Sequence, residues 1–521
     1  MSLRPKRLKK NLFKENYILE LDRIKIITDS YRATEGKPIL LRRAKAIKNF
    51  LEKKPIYILD HELLVGSINC KPNGMSLYPE YSVDWISQDL ESFKAGKIRI
   101  EPGKENEFVE TLDSWRGKTV YDMIRPWFSA LEKNAMDSRL FMHSSTVDGV
   151  GRIVVGYDRV IKHGLFGMVK QIKKYKKILS LGGDENGFYK NIFYDSQLMV
   201  LEGAITLAER YAKKAKELME NEKNPTRKKE LKKIAETCRR VPAYPARSFH
   251  EALQSFLFCH LIIQMESNGH GIGIGRFDQY VYPLCANDLK EGKITKAEAI
   301  ELLECLWIKL SEISKLRKSG MHKAAREGGV SGTMFQNLTI GGQNDKGEDA
   351  TNELSYLILE SMKNIRVIQP SISLRFHNKI DEGLLLKAID LLRTGIGMPA
   401  FFNDNNAISM LLEKGVSLKE ARNYALVGCI YPIIAGKTRQ DVSPGILNVA
   451  KCLELVLWNG LDPLTNKKIG VTSGDPRKFS SFEELLIAFR KQLSFSLQLL
   501  TKPWKIIEAI YRENFFSHNR F

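Results

Sequence analysis

The sequence lacks the features that mark several familiar functional classes. No run of about 18 consecutive apolar residues occurs, so no segment reads as a membrane span. The basic start MSLRPKRLKKNLFKEN has no apolar stretch behind it and does not read as a secretory signal. Seven cysteines (Cys70, Cys238, Cys259, Cys285, Cys305, Cys429 and Cys452) include no CxxC pair, which argues against a zinc knuckle or an iron–sulfur run. Scattered thiols of this kind fit the reducing conditions of a cytoplasm. Nine histidines form neither HxxxH nor HExxH, so nothing points to a metal; HSSTVD at 143–148 offers one imidazole and one carboxylate. No GxxxxGK[ST] motif is present. The glycine-rich GHGIGIGRFD (269–278) follows a helical pattern, which is the wrong context for a dinucleotide loop. A Ser-His-Asp reading has no nucleophile elbow to rest on.

What is present is charge, helix and an alternating pattern. Lys and Arg total 81 against 61 Asp and Glu, a net charge of +20. The positive residues of ERYAKKAKELMENEKNPTRKKELKKIAETCRR (209–240) are interleaved with glutamates, and alanines and leucines recur at helical spacing. This is the pattern of solvated helix faces. With no zinc-finger spacing or RNA-recognition signature, neither a nucleic acid nor a membrane is expected as a partner.

A chain of 521 residues implies roughly two to four domains, or one large barrel with additions. The first 50 residues read as helix, ending with RRAKAIKNFLEKKP at Pro55. IYILDHELLVGSIN (56–69) reads as strand-like, and KPNGMSLYPEYSVDW (71–85) as loop. SFHEALQSFLFCHLIIQMES (248–267) reads as a buried helix. Four short β-like runs then alternate with helical ones: QNLTIGGQ (336–343), QPSISLRFH (369–377), MPAFFND (398–404) and NYALVGCI (423–430). Strand–helix alternation predicts an α/β fold with a parallel sheet, whose strand ends collect the chemistry. Gly341-Gly342, Asn403-Asp404 and Cys429 all fall at or just past such ends. Ser481 is the expected N-cap of a late helix.

These segments, taken together and in order, resemble the glycyl radical enzymes, the family of pyruvate formate-lyase and the B12-independent glycerol dehydratases. The resemblance is carried by KKPIYILDHELLVGSI, YPEYSVDWI, the stretch from SFHEALQSF to GIGIGRFDQYVYP, FQNLTIGGQNDKGEDATNELSYLILES, QPSISLRFH, RTGIGMPAFFND and YALVGCIYPIIAGKT. It implies part of a ten-stranded α/β barrel, two five-stranded parallel halves set antiparallel with helices outside, the second half incomplete. It also implies a buried, apolar setting for Cys429, whose thiyl radical abstracts hydrogen from a small substrate in C–C or C–heteroatom cleavage.

The sequence departs from the family pattern in ways that bear on chemistry. Tyr431 stands where many members place a glutamate base two residues after the cysteine; a phenol with a pKa near 10 is a poor base at neutral pH but can hydrogen-bond, so Tyr431 is expected to bind substrate. Arg152 stands where dehydratases place a substrate-contacting histidine, and a guanidinium suits an anionic substrate. His270 and Phe335 match the family's substrate-binding positions. Ser443, with Asp441 nearby, occupies the place of a dehydratase aspartate. No Arg-Val-X-Gly-aromatic motif occurs among the 521 residues.

The expectation is therefore a pyruvate formate-lyase-type domain over 1–521, truncated at its C-terminus and without the glycyl radical domain. It binds no cofactor of its own, and the glycyl radical is expected from a missing segment, in cis or on a second chain. A radical SAM activase installs that radical, and the complete enzyme is expected to be an anaerobic homodimer. The alternative is a catalytically inactive fragment or an interaction subunit of a split enzyme.

Overall fold

The computed structural model describes residues 3–12, 17–86, 98–143, 151–179, 185–316, 334–438 and 445–514. They fall into two compact units. The larger comprises Met1–Tyr78, Ile86–Thr111 and Gly151–Gln440, and the smaller comprises Pro79–Trp85, Leu112–Val150 and Asp441–Phe521.

The larger unit is α/β. Four parallel strands, Gly275–Arg276, Asn337–Gly341, Ser371–Phe376 and Ala400–Asn403, lie side by side in chain order. The helices Glu353–Ile365 and Glu382–Arg393 make the second and third crossovers. Their starts are written in the sequence: Asn352 and Asp381 cap them, the first reciprocally with Ser355. Asn337–Gly341 is buried throughout and Ser371–Phe376 at all but its two end residues, as expected when both faces of a parallel sheet are covered. A second parallel sheet places Tyr17–Leu19 between Gly74–Met75 and Ile98–Ile100. The basic run at 209–240 forms the end of the helix Glu185–Asn221 and the whole of the helix Pro225–Arg240, broken at Asn224-Pro225 as expected. Among the described residues, no helix is long and apolar enough to cross a membrane.

The stretch 56–69 differs from its strand-like reading. It is irregular but largely buried from Leu64 to Asn69. Side chains stand in for a partner strand there. Gln254 accepts from Val65 N (2.9 Å) and donates to Val65 O (2.8 Å), Lys54 Nζ donates to Ser67 O (2.9 Å), and Arg227 Nη1 donates to Glu62 O (2.7 Å). Apolar burial set the composition, while helix-borne polar groups satisfied the backbone without a ladder.

His260, on the buried helix Phe249–Glu266, ties that helix to the sheet. Gln336 Nε2 donates to Leu310 O and Met334 O, so its Oε1 is the acceptor 2.8 Å from His260 Nε2. The proton therefore sits on Nε2, and Nδ1 accepts from the Tyr157 hydroxyl at 2.7 Å. Burial pulls the imidazole pKa down to about 4. The unfolded chain, with a pKa near 6.5, then binds more protons than the native state between these values. The contribution is fully present above pH 6.5 and is lost as pH falls toward 4. Acidification from pH 7.5 to 5 is expected to cost roughly 2 kcal/mol through this residue. Denaturant titrations at both pH values should show a correspondingly shallower dependence in His260→Gln.

The smaller unit packs Ala135, Leu140, Phe141, Cys452, Leu455, Ile469 and Leu500 into its own core. Phe141–Met142 pairs antiparallel with Ile446–Leu447. Ser481 caps the helix Phe482–Asn514 by accepting from Glu484 N, as its sequence position predicts.

Candidate active site

Cys429 lies at the tip of a hairpin built from Ala425–Val427 and Tyr431–Ile433, with Val427 opposite Tyr431. Gly428, Cys429 and Ile430 make the turn; Gly428 takes the left-handed backbone such a turn requires, with φ +56°. Ala425, Leu426 and Val427 are fully buried, whereas Cys429 is exposed and Ile430 is 73% exposed. This corrects the expected buried setting. Apolar strand residues pack under the sheet, but the turn projects beyond the side chains that bury them.

The hairpin is fastened at two levels. Near the tip, Asn337 Nδ2 donates to Gly428 O (3.1 Å) and to Ser373 Oγ (2.8 Å), and Leu426 N donates to Thr339 Oγ1 (3.0 Å). At the base, Arg375 and Asp404, both fully buried, form a bidentate pair at 2.8 and 2.9 Å. Arg375 also donates to Tyr424 O and Arg422 O, each at 2.8 Å, and its guanidinium lies 3.8 Å from the Tyr424 ring centroid. The Tyr424 hydroxyl and Gln343 N donate to Asp404. Gly342 makes room for this: with φ +78°, a Cβ there would lie 2.5 Å from Arg375 Nε. The strand-end residues singled out in the sequence, Gly342 and Asp404, thus meet, but their partner Arg375 was not foreseen. Its signal was a charged residue inside the apolar run SISLRF.

Three chain segments meet beside the tip. Arg152, with φ +59°, donates its backbone N–H to His270 O at 3.1 Å. A Cβ on Gly151 would lie 2.2 Å from that same oxygen, and one on Gly271 would lie 3.2 Å from Gly428 Cα and 3.5 Å from Arg152 Cγ. Glycine at these places lets the backbones approach, so the Arg152 stem runs alongside the cysteine turn. The His270 and Phe335 rings are 6.0 Å apart and tilted by 42°. Arg152, His270 and Phe335 therefore gather on the tip side of the hairpin. Lys414 Nζ donates to the Tyr431 hydroxyl at 3.4 Å and lies 5.3 Å from its ring centroid. Asp441 and Ser443 lie outside the described residues. Among the described residues, no cluster of His, Cys, Asp and Glu is arranged to hold a metal.

The exposure of Cys429 separates it from the other cysteines. Cys259 is half-buried, and Cys70, Cys238, Cys285, Cys305 and Cys452 are buried, their thiols pushed up by loss of solvation. Limiting iodoacetamide should modify Cys429 first, as read by peptide mass mapping. Equal labelling of any buried cysteine would contradict this arrangement.

The sequence model of the family described as pyruvate formate lyase-like matches residues 1–518. The chain is 32% identical over 523 residues to the (2S)-3-sulfopropanediol dehydratase of Klebsiella oxytoca, covering 98% of this chain and 62% of that protein. It is also 32% identical to the isethionate sulfite-lyase of Nitratidesulfovibrio vulgaris, covering 95% of this chain and 61% of the relative. Among solved structures, the glycerol-bound B12-independent glycerol dehydratase of Clostridium butyricum matches with a TM-score of 0.92 at 35% identity, over 99% of this chain and 65% of that one. The chain thus spans less than two thirds of the length of these relatives.

Proposed function

Because the chain belongs to the pyruvate formate lyase-like family, we propose that it is the cysteine-bearing part of a glycyl radical lyase. The reaction is C–heteroatom cleavage in a small substrate that carries a carboxylate or sulfonate. The observation that carries this reading is the placement of Cys429 at a hairpin tip beside Arg152, with His270 and Phe335 adjoining. A glycyl radical on a further polypeptide segment, installed by a radical SAM activase, would supply the open-shell site that takes the hydrogen atom of the Cys429 thiol. Cys429 Sγ then takes a hydrogen atom from a substrate carbon, re-forming S–H and leaving a carbon radical. A hydroxyl on the radical carbon gives its proton to water as the leaving group departs from the neighbouring carbon as an anion; Cys429 returns the hydrogen atom to the resulting carbonyl-bearing product radical and would then recover one from the glycine. The sulfur is unchanged over the cycle, and no net oxidation occurs.

Arg152, whose stem runs beside Gly428, supplies in this reading the cation that orients an anionic substrate. The exposed tip, with Ile430 beside the thiol, is where the glycyl-bearing segment sits in this reading, excluding water from the radicals. The rival reading, an inactive or interaction subunit, draws on Tyr431, which offers a phenol held by Lys414 where a carboxylate base is expected.

The test is anaerobic reconstitution of the chain with a glycyl-loop polypeptide, an activase, S-adenosylmethionine and a reductant. Product is assayed from hydroxysulfonates, hydroxycarboxylates and neutral diols. Turnover is expected with the anionic substrates, and Cys429→Ser should keep the glycyl electron paramagnetic resonance doublet but form no product. Product from that variant would refute the assigned role, and a doublet without turnover on any substrate would support the rival. Arg152→Ala should raise KM for anionic substrates more than for neutral ones.

A further inference from the structure

The larger unit has a cavity of about 830 Å³ beside the base of the cysteine hairpin. Cys429, Arg152, His270 and Phe335 are not among its lining residues. Its walls come from residues 154–159, 275–280, 344–345, 417–425 and 434–437. It is therefore separate from the thiol site, although the two feet of the hairpin form part of its wall.

The charges around it are unevenly answered. Lys437 pairs with Glu420, and Lys419 lies 3.7 Å from Asp345, so these rim acids already have cations. Arg276, only 7% exposed, is different. Its Nη2 donates to Gly341 O at 2.9 Å, and its Nη1 donates to Asn423 Oδ1 at 3.1 Å and Arg422 O at 3.4 Å. Every one of these acceptors is neutral, and Nε has no partner at all. The neighbouring carboxylate Asp404 is taken by Arg375 in the bidentate pair. Burial and the Arg375 charge together pull the Arg276 guanidinium down to about 9. Asp278, fully buried two residues along, offsets part of the Arg276 charge through space while taking its own hydrogen bonds from Gly341 N and Ser355 Oγ, which leaves Nε an unpartnered donor on a buried cation that lines the cavity. Arg159 adds a second cation to the lining, opposed by Asp158.

We propose that this cavity binds a small oxyanion-bearing molecule, a phosphate ester or a polycarboxylate, with Arg276 as the buried counter-charge and Arg159 and Lys437 at the rim. The site is additional to the lyase chemistry and does not depend on it. Since Asn423 both lines the cavity and accepts from Arg276, occupancy also bears on the foot of the hairpin that carries Cys429. The bland competitor is that Arg276 acts solely as a clamp between the sheet and Asn423.

Calorimetric titration of the 521-residue chain with inorganic phosphate, and separately with citrate, tests the proposal. Saturable binding of at least one anion at a single site is expected. Arg276→Gln should weaken it more than tenfold, and Arg159→Ala and Lys437→Ala each severalfold. Circular dichroism checks that the variants are folded; if Arg276→Gln is not, the two rim variants decide. Phosphate binding with citrate excluded identifies the phosphate-ester class, and the converse the polycarboxylate class. No saturation by either anion at ~10 mM, beyond the weak end of specific affinities, or binding unchanged in the folded variants, overturns the site and leaves the clamp.

Discussion

Arg375→Met is expected to lower the unfolding free energy by roughly 3–5 kcal/mol, the usual cost of removing one partner from a buried ion pair. Methionine fills much of the volume but strands the Asp404 carboxylate, which is fully buried and receives two charge-assisted bonds from Arg375. The Tyr424 hydroxyl and Gln343 N still donate to it, but neither brings a positive charge. The Tyr424 and Arg422 carbonyls lose their donor as well. Guanidinium chloride unfolding provides the measurement. Because both residues act as one unit, the double variant with Asp404→Asn should cost less than the sum of the single ones. Strict additivity would show that the pair is not what holds the hairpin base.

The second large effect is expected at Lys309. Its side chain is 3% exposed and sits between Glu62 Oε1 at 2.7 Å and Glu312 Oε2 at 2.5 Å. The two carboxylates hold the ammonium firmly protonated, against the pull of burial. Lys309→Met removes the cation they share and should cost roughly 3–5 kcal/mol at pH 7.5. The sign of its pH dependence is diagnostic. Burial pushes the Glu312 carboxyl up, and without Lys309 nothing close by opposes that push. A carboxyl whose native pKa is above its unfolded value loses stability as pH rises through that interval. The deficit of Lys309→Met relative to the parent should therefore shrink as pH falls from 7.5 toward 5. A deficit that stays constant with pH would mean that Glu312 is solvated rather than desolvated.

The alternation of apolar runs and helices made the parallel sheet legible. Leu338, Ile340, Ile372 and Leu374 are buried strand residues whose pattern needs no knowledge of neighbours. The motif set likewise led to the family and to Cys429. What could not be read was anything decided by residues distant in sequence. Burial at Cys429 depends on what stands beyond a turn, not on the apolar letters before it. The partner of the Tyr431 hydroxyl is Lys414, 17 residues earlier. Residues 56–69 look like a strand because they are apolar, yet Gln254, 189 residues from Val65, does the work of a paired strand. His260 and Gln336 were equally hidden, since a polar residue on an apolar helix shows its partner only in three dimensions.

The strand order of the main sheet has a consequence for how the protein is made. Each of the four strands is laid against the one translated before it, so the sheet grows at a single edge as the chain leaves the ribosome. The hairpin follows last, and Asn337, Thr339, Arg375 and Asp404, which anchor it, have all been synthesised by then. The Cys429 thiol is thus seated only after its supports exist, and a nascent chain never has to hold it in place unaided.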